Sequence, residues 1–180
     1  VTNIALDHEQ HLGFDLAGIA REKAGIFKRG VPALVGEADV LSVREALADA
    51  ARERGAPLGW LREEARWDIR SAEAGWTTFD YESDRGHLEG LALPLAGEQF
   101  VADAALALRA WERWRGELDP VAVRAALAEG APPGRMESRS VGAVSFLFDV
   151  AHNPAAVDRL AAVVSQAATR WTFVAGILAD

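Results

Sequence analysis

The sequence VTNIALDHEQHLGFDLAGIAREKAGIFKRGVPALV at residues 1–35 indicates the fold class of the chain. Residues 1–6 and 31–35 have the apolar composition of buried strands, and residues 15–25 between them carry apolar side chains at helical spacing. Asp15 suits the N-cap of that helix and Gly25 its end. A second amphipathic pattern over residues 40–54 stops at a glycine. Because strands and helices alternate, the sequence predicts an α/β fold with a parallel sheet flanked by helices.

The remainder of the chain predicts a small antiparallel meander, two more helices and a second unit. Approximate alternation over residues 65–93 is typical of the meander, and helical patterns return over 99–114 and 120–128. The sequence APPG at 131–134 interrupts both kinds of pattern, so we place a domain boundary between about 131 and 140. Beyond it we expect a strand–helix–strand unit: a buried strand at 144–149, a helix at 154–169 and a core strand at 171–178. Strands at both ends of the chain suggest a fragment of a longer protein.

The composition narrows the classes of function. Half of the 180 residues are hydrophobic, and the net charge is −8. We expect no nucleic-acid partner, because such proteins usually carry a basic face. No apolar run approaches the ~18 to 20 residues of a membrane helix. The absence of cysteine excludes disulfides and zinc–thiolate sites and fits a cytoplasmic protein.

A first polar cluster follows the first predicted strand, at the strand end where ligands bind in open α/β sheets. It consists of Asp7 and His8, with Lys23 fifteen positions after His8. Imidazole and carboxylate are metal ligands, and an amine, unlike a guanidinium, can lose its proton and react. Lys23 is one of only two lysines in the chain. The alternative is a solvated turn and an ordinary surface lysine.

Two further clusters lie in and after the linker. Arg135, in PGRME at 133–137, suits phosphate because its guanidinium binds oxygens in pairs; a linker salt bridge is the alternative. In DVAHNP at 149–154, Asp149 could accept ribose hydroxyl protons, and the helix that follows favours anions at its start. Helix capping by Asn153 or Asp149 is compatible with that role. The given sequence contains no glycine-rich phosphate loop.

The motifs TNIALDH, LG, IAREKAGI, PGRME and DVAHNP, in this order, resemble the folylpolyglutamate synthase and dihydrofolate synthase family of the Mur ligase superfamily. The resemblance implies the C-terminal part of a P-loop-type central domain over 1–131 and a linker over 132–140. The start of a Rossmann-like C-terminal ligase domain would occupy 141–180. The phosphate loop would then lie upstream of residue 1, and most of the C-terminal domain beyond residue 180.

The resemblance also implies a reaction. ATP phosphorylates a carboxylate of dihydropteroate or of a folate such as tetrahydrofolate, and the amine of L-glutamate attacks the acyl phosphate. His8 matches a Mg²⁺ ligand, and Lys23 matches a lysine whose carbamate helps to hold a second Mg²⁺. We expect a monomer, and we expect the 180 residues alone to be inactive.

The remaining roles implied by the resemblance concern ATP and glutamate. Arg135 matches an arginine on the ATP phosphates, and Asp149 matches a nucleotide-binding aspartate. His152 matches a histidine near the glutamate site, and Asn153 extends that motif. Asp103 stands where the family often has a nucleotide-associated asparagine, and Val150 replaces a usual glycine. One alternative is another Mur-type amide ligase. A second is a degenerate nucleotide-binding module without catalysis, which these two departures and the absent phosphate loop favour.

Overall fold

The computed structural model of the chain describes residues 1–4, 15–73, 75–165 and 170–176. It shows a mixed α/β protein with parallel and antiparallel sheets, as the sequence predicts. The first part alternates helices and short strands: α1 (Leu16–Lys23), β1 (Ala33–Val35), α2 (Leu41–Arg54) and β2 (Leu58–Trp60). Strands β1 and β2 are parallel neighbours. Among the described residues, no helix is long and apolar enough to cross a membrane.

The ends of both helices follow from their sequences. The Asp15 carboxylate accepts hydrogen bonds from the backbone N–H groups of Ala17 and Gly18, so the predicted N-cap of α1 is confirmed. The predicted end at Gly25 is wrong, because α1 tightens after Lys23 into a 3₁₀ turn over Ala24–Ile26. Helix α2 ends as predicted at Gly55, whose φ of 65° is the left-handed conformation that glycine adopts without strain.

The first predicted strand is described only as far as Ile4. Its residue Asn3 forms an isolated parallel bridge with Glu37, just beyond β1. The two segments approach closely, because a Cβ at Gly36 would lie 2.3 Å from the Thr2 carbonyl oxygen. Glycine at this position therefore lets residues 1–4 lie against the chain that leaves β1. Residues 5 and 6 of this predicted strand lie outside the described residues.

The predicted meander is confirmed. A short helix, α3 (Leu61–Glu64), leads into three antiparallel strands, β3 (Ala65–Glu73), β4 (Trp76–Ser83) and β5 (Gly86–Leu93). Helices α4 (Glu98–Arg115) and α5 (Pro120–Glu129) follow, also as predicted. The apolar side chains of α3, β4, β5 and α4 form one core, in which the fully buried members are Leu61, Phe79, Tyr81, Leu91, Val101 and Ala105.

A buried ion cluster, here called the Arg109 cluster, fastens α4 to the meander. The Arg109 guanidinium donates to Glu64 at 2.8 Å, to Asp84 at 2.6 Å and to Glu112 at 3.2 Å. Glu112 also accepts the hydroxyl of Tyr81 at 2.8 Å. Arg109 and Glu112 are 7% and 2% exposed. Burial, followed by the Glu112 carboxylate, raises the pKa of Tyr81, so its hydroxyl remains a donor.

The part after residue 131 differs most from expectation. A hairpin of β6 (Glu137–Val141) and β7 (Val144–Phe148) precedes α6 (Pro154–Ser165), and β6 was not predicted. The predicted strand at 144–149 is confirmed as β7, but the expectation that it is buried is wrong, since Phe146 is 43% and Phe148 48% exposed. The hairpin satisfies its backbone by pairing with itself, while no described layer covers its apolar side chains.

The predicted core strand at 171–178 is also not formed in the described residues. Residues 170–176 have no regular structure, and Val174 is 97% exposed. Of the predicted strand–helix–strand unit, the first strand and the helix are therefore formed, whereas the second strand is not formed over residues 171–176. An apolar sequence favours a strand only where a neighbouring strand accepts its hydrogen bonds. Helix α6 is described to Ser165, and the remainder of the predicted helix lies outside the described residues.

Candidate functional site

A cavity of about 530 Å³ brings the candidate residues together. Its walls come from residues 1–4, the end of α1, the first half of α4, the linker and the first two turns of α6. Six of the seven predicted site residues line it, namely Lys23, Asp103, Arg135, Asp149, His152 and Asn153. The seventh, His8, lies outside the described residues. The volume is in the range of small-molecule sites, so the cavity is large enough for a cofactor or substrate.

Lys23 is the last residue of α1 and reaches the cavity beside the N-terminal segment. Its ammonium group donates to the backbone carbonyl of Asn3 at 3.4 Å. The side chain is half-buried. Within the described parts of the chain, no carboxylate lies within ion-pair distance of it. An ordinary surface lysine would project into solvent, whereas this amine faces the predicted ligand space.

The linker turn that carries Arg135 is fixed by two carboxylates. Glu137 accepts the backbone N–H of Gly134 at 2.8 Å, and Asp149 accepts that of Met136 at 2.9 Å. Met136 has a φ of 48°, which is unusual for a residue with a side chain and reflects the tight turn. Asp149 thereby ties the linker to the end of β7 while it also lines the cavity. The turn thus fixes the backbone from which Arg135 faces the cavity.

The pairing of Glu137 bears on the salt-bridge alternative for Arg135. Glu137 accepts hydrogen bonds from Gly134 and from Arg139, which together hold its pKa below the usual range. The ion pair in this region joins Glu137 to Arg139. No described carboxylate lies within ion-pair distance of Arg135, so the alternative of a linker salt bridge does not apply to Arg135. Arg135 is half-buried in the cavity wall. Its guanidinium can therefore bind an anion that enters the cavity.

The start of α6 forms the opposite part of the lining. Asn153 accepts the backbone N–H of Ala156 at 2.9 Å, which confirms the predicted helix cap. Pro154 is the first residue of the helix. His152 has its ring Nδ1 3.0 Å from the Val150 carbonyl oxygen. Asn153 thus caps α6 and also lines the cavity, so helix capping is compatible with ligand binding, as predicted.

Asp103 projects from α4 between charged neighbours. Its side chain is open to the cavity, yet the surrounding walls remove enough water to raise its pKa, and Glu37 adds to that rise. Arg159 and Arg135 oppose the rise through their positive charges. The two arginines therefore lie near the same carboxylate, although neither forms an ion pair with it.

Three cavity residues were missed by sequence reasoning: Asn3, Glu37 and Arg159. Asn3 is inside a quoted motif but was interpreted only as part of a strand. Arg159 had a detectable signal, because it follows Ala155 by four residues and Ala156 by three, which puts all three on one face of α6. No local sequence pattern predicts that Glu37 lines the cavity. Its position there follows from the parallel bridge between Glu37 and Asn3.

The cavity lining offers charge of both signs but no complete metal site. Lys23, Arg135 and Arg159 are cationic, and Glu37, Asp103 and Asp149 are anionic. Among the residues that the structure describes, no three His, Asp or Glu side chains converge closely enough to hold a metal ion. The described residues alone form no complete magnesium site, and the implied ligand His8 lies outside them.

Comparisons with known proteins identify enzymes of one kind. No family model matches the chain. It is 40% identical over 160 residues to the dihydrofolate synthase/folylpolyglutamate synthase of Escherichia coli (strain K12), a match that covers 89% of this chain and 35% of that protein. It is 33% identical over 187 residues to the folylpolyglutamate synthase of Lacticaseibacillus casei, covering 100% of this chain and 43% of that protein.

A solved structure supports the same relationship. The E. coli enzyme in complex with DHPP and ADP matches with a TM-score of 0.79 at 35% identity, over 94% of this chain and 38% of the solved one. The chain thus spans less than half the length of the relatives that it matches. The predicted resemblance to this family of ligases is confirmed.

Proposed function

We propose that this chain, as a relative of the dihydrofolate and folylpolyglutamate synthases, supplies part of the active site of an ATP-dependent ligase that adds L-glutamate to dihydropteroate or to folates. The observation that carries the proposal is the convergence of Lys23, Arg135, Asp149 and His152 on one cavity. The relatives' names support the reaction class. The complex of the E. coli enzyme with DHPP and ADP supports a nucleotide and a pterin-type substrate.

The proposed reaction forms an amide bond in two steps. The substrate carboxylate attacks the γ-phosphorus of ATP, giving an acyl phosphate and ADP. The glutamate amine then attacks the acyl carbon, phosphate leaves, and the nitrogen loses a proton. The enzyme must neutralise phosphate charge and hold the amine close to the acyl carbon.

Arg135 and Asp149 have the proposed nucleotide roles. The Arg135 guanidinium lies in the cavity wall without a carboxylate partner among the described residues, so it can bind phosphate oxygens in pairs. Asp149 uses its two oxygens to accept the Met136 and Ala151 amides. Each oxygen retains a further lone pair for a ribose hydroxyl. Asp103 contributes to the nucleotide side of the cavity in the same proposal.

His152 and Asn153 have the proposed glutamate-side roles. Both line the cavity at the start of α6, where unpaired backbone N–H groups favour an anionic substrate. The Asn153 cap fixes this end of the helix. His152 precedes it on the same turn and is accessible from the cavity.

Magnesium and the lysine carbamate belong to the same proposal. Mg²⁺ would supply positive charge to the phosphates, and His8 and carbamylated Lys23 would hold it. The position of Lys23 supports this role, because the amine is half-buried, faces the cavity and has no carboxylate partner among the described residues. A carbamate would convert that amine into an anionic oxygen donor.

We also propose the domain division 1–131, 132–140 and 141–180. The linker turn and the self-paired hairpin β6–β7 support a boundary there, since the hairpin shares no sheet with the preceding strands. A monomeric, cytoplasmic enzyme completes the proposal; the absence of cysteine supports the second property.

The test is a substrate panel on the full-length protein that contains this chain. ADP release is measured with ATP and L-glutamate plus dihydropteroate, tetrahydrofolate or a nucleotide-linked muramyl peptide. The proposal predicts ADP release only when glutamate and a pterin-type acid are both present. Turnover with the muramyl peptide alone would favour another Mur-type ligase, and nucleotide binding without any turnover would favour a degenerate module.

A further inference from the structure

Arg159 is the cavity arginine that neither a motif nor a family role explains. It lies on α6, half-buried, and lines the same cavity as Lys23 and Arg135. Its polar partner is Asn3: with the Asn3 amide oriented to satisfy its hydrogen bonds, Oδ1 accepts from both terminal nitrogens of Arg159, at 2.9 and 3.3 Å. No carboxylate of the described residues is within ion-pair distance of it.

This environment differs from that of the other arginines that hold structure together. Arg44, Arg70 and Arg109 each pair with a carboxylate. A guanidinium carries five N–H donors, and the Asn3 oxygen engages only one edge of Arg159. The remaining donors have no protein acceptor among the described residues. A half-buried cation with unused donors in a cavity is arranged to bind an anion.

The position of Arg159 indicates which anion. Asn3 connects it to Lys23, because the Asn3 side chain accepts from Arg159 while the Asn3 backbone carbonyl accepts from Lys23. In the proposed function, Lys23 carries the carbamate that would serve the phosphates, so the acyl phosphate would form near Lys23. The attacking amine must come within about 3 to 3.5 Å of the acyl carbon. In an α-amino acid, a carboxylate is attached to the carbon that bears this amine, so it must lie close to the same place.

Arg135 has different surroundings. It lies on the linker turn that Glu137 and Asp149 fix, and no hydrogen bond of the described residues connects it to Lys23. Both arginines lower the pKa of Asp103 through their positive charges, so both lie within electrostatic reach of this carboxylate. The cavity thus holds two guanidinium groups with different surroundings.

We propose that Arg159 binds a carboxylate of the amino-acid substrate. This inference rests on the proposed function and deepens it. It assigns the phosphate oxygens to Arg135 and the amino-acid carboxylate to Arg159, with Asn3 orienting the Arg159 guanidinium from behind. Asn3 is therefore a positioning residue and Arg159 a substrate-binding residue.

The test is steady-state kinetics of Arg159→Gln and Arg159→Lys in the full-length protein. Loss of a charged hydrogen-bond pair should raise the KM for L-glutamate about 10- to 100-fold. The KM values for ATP and for the pterin-type substrate should change less than about threefold. Arg159→Lys retains the charge and should recover part of the loss. Arg52→Gln, on the exposed face of α2, is the matched control and should leave all three KM values unchanged.

The other outcomes are equally distinct. A rise in the KM for ATP instead would assign Arg159 to phosphate and overturn the inference. An unchanged KM for glutamate in an active Arg159→Gln enzyme would also overturn it, while leaving the proposed function intact. Asn3→Ala should raise the KM for glutamate by less than Arg159→Gln does, because the guanidinium remains and loses only the contact that orients it. A wild-type protein without glutamate-dependent ADP release would overturn both proposals.

Discussion

Arg109 and Arg159 occupy helices of the same chain but differ in what surrounds them. Arg109 contacts three carboxylates and is 7% exposed, so its charge is neutralised within the protein. Arg159 faces a cavity and contacts a neutral amide. The first arrangement holds α4 against the meander. A buried charge that is neutralised by protein carboxylates therefore indicates a structural role, whereas a cavity charge with only a neutral partner indicates ligand binding.

The largest effect is expected from breaking the Arg109 cluster. Arg109→Met leaves Glu112 buried without its cation, which should lower the free energy of unfolding by about 3 to 5 kcal/mol. Urea denaturation measures this loss. The double variant Arg109→Met/Glu112→Gln should lose less than the single variant, because it removes the uncompensated charge. Arg124→Met, at an exposed contact with backbone carbonyls, is the control. A loss below about 1 kcal/mol for Arg109→Met would contradict a structural role.

The second effect concerns catalysis at Lys23. Lys23→Ala and Lys23→Arg should each lower kcat about 10²- to 10³-fold, because neither side chain forms a carbamate. Unfolding free energies should change little. A short-chain carboxylate in the buffer should restore part of the activity of Lys23→Ala only. Lys28→Ala, at the exposed second lysine, should remain fully active. Full activity of Lys23→Arg would contradict the carbamate.

A smaller effect is expected at the linker. Arg135→Gln should raise the KM for ATP about tenfold or more, since one charged contact to phosphate is lost. The KM for glutamate should stay within about threefold of the wild-type value, in contrast to the Arg159 variants. Arg139→Gln, which removes an exposed partner of Glu137 on the same hairpin, is the matched control. Equal changes in both KM values would show that the two arginines do not divide the substrates.

The smallest effect is a difference in how the free energy of unfolding depends on pH. It compares variants of Asp103, which lies in the cavity, with variants of Asp80, which is paired with Arg70. The folded-state pKa of Asp103 is raised. Ionisation of Asp103 therefore lowers the stability of the folded state as pH rises from about 3.9, the unfolded-state pKa, through the raised pKa. The folded-state pKa of Asp80 is lowered by Arg70, so its stabilisation is lost as pH falls through that lowered value. Asp103→Asn should therefore gain stability relative to wild type as pH rises from about 3.9 through the raised pKa of Asp103. Asp80→Asn should lose stability relative to wild type as pH rises from the lowered pKa of Asp80 to about 3.9. Denaturant midpoints from about pH 2 to pH 7 measure both; the same sign for both would contradict the assignment.

The sequence predicts well where local signals and burial agree. Asp15, Gly55 and the alternation over 65–93 define their elements through capping, a left-handed turn and period-2 burial. It fails where an apolar segment lacks a partner, as in residues 171–176. The site clusters could be predicted because they follow strand ends or precede a helix. A role for Arg159 could not be predicted, because it depends on the contact with Asn3, which lies 156 positions away in the chain.

The most direct test of the ligase assignment is a crystal structure of the full-length protein with a non-hydrolysable ATP analogue. We expect the triphosphate to enter the cavity, with its oxygens within hydrogen-bond distance of the Arg135 guanidinium. The Arg159 guanidinium should remain beside Asn3, away from the phosphates. An analogue bound elsewhere, with Arg135 not engaged, would contradict the assignment of this cavity to an ATP-dependent ligase.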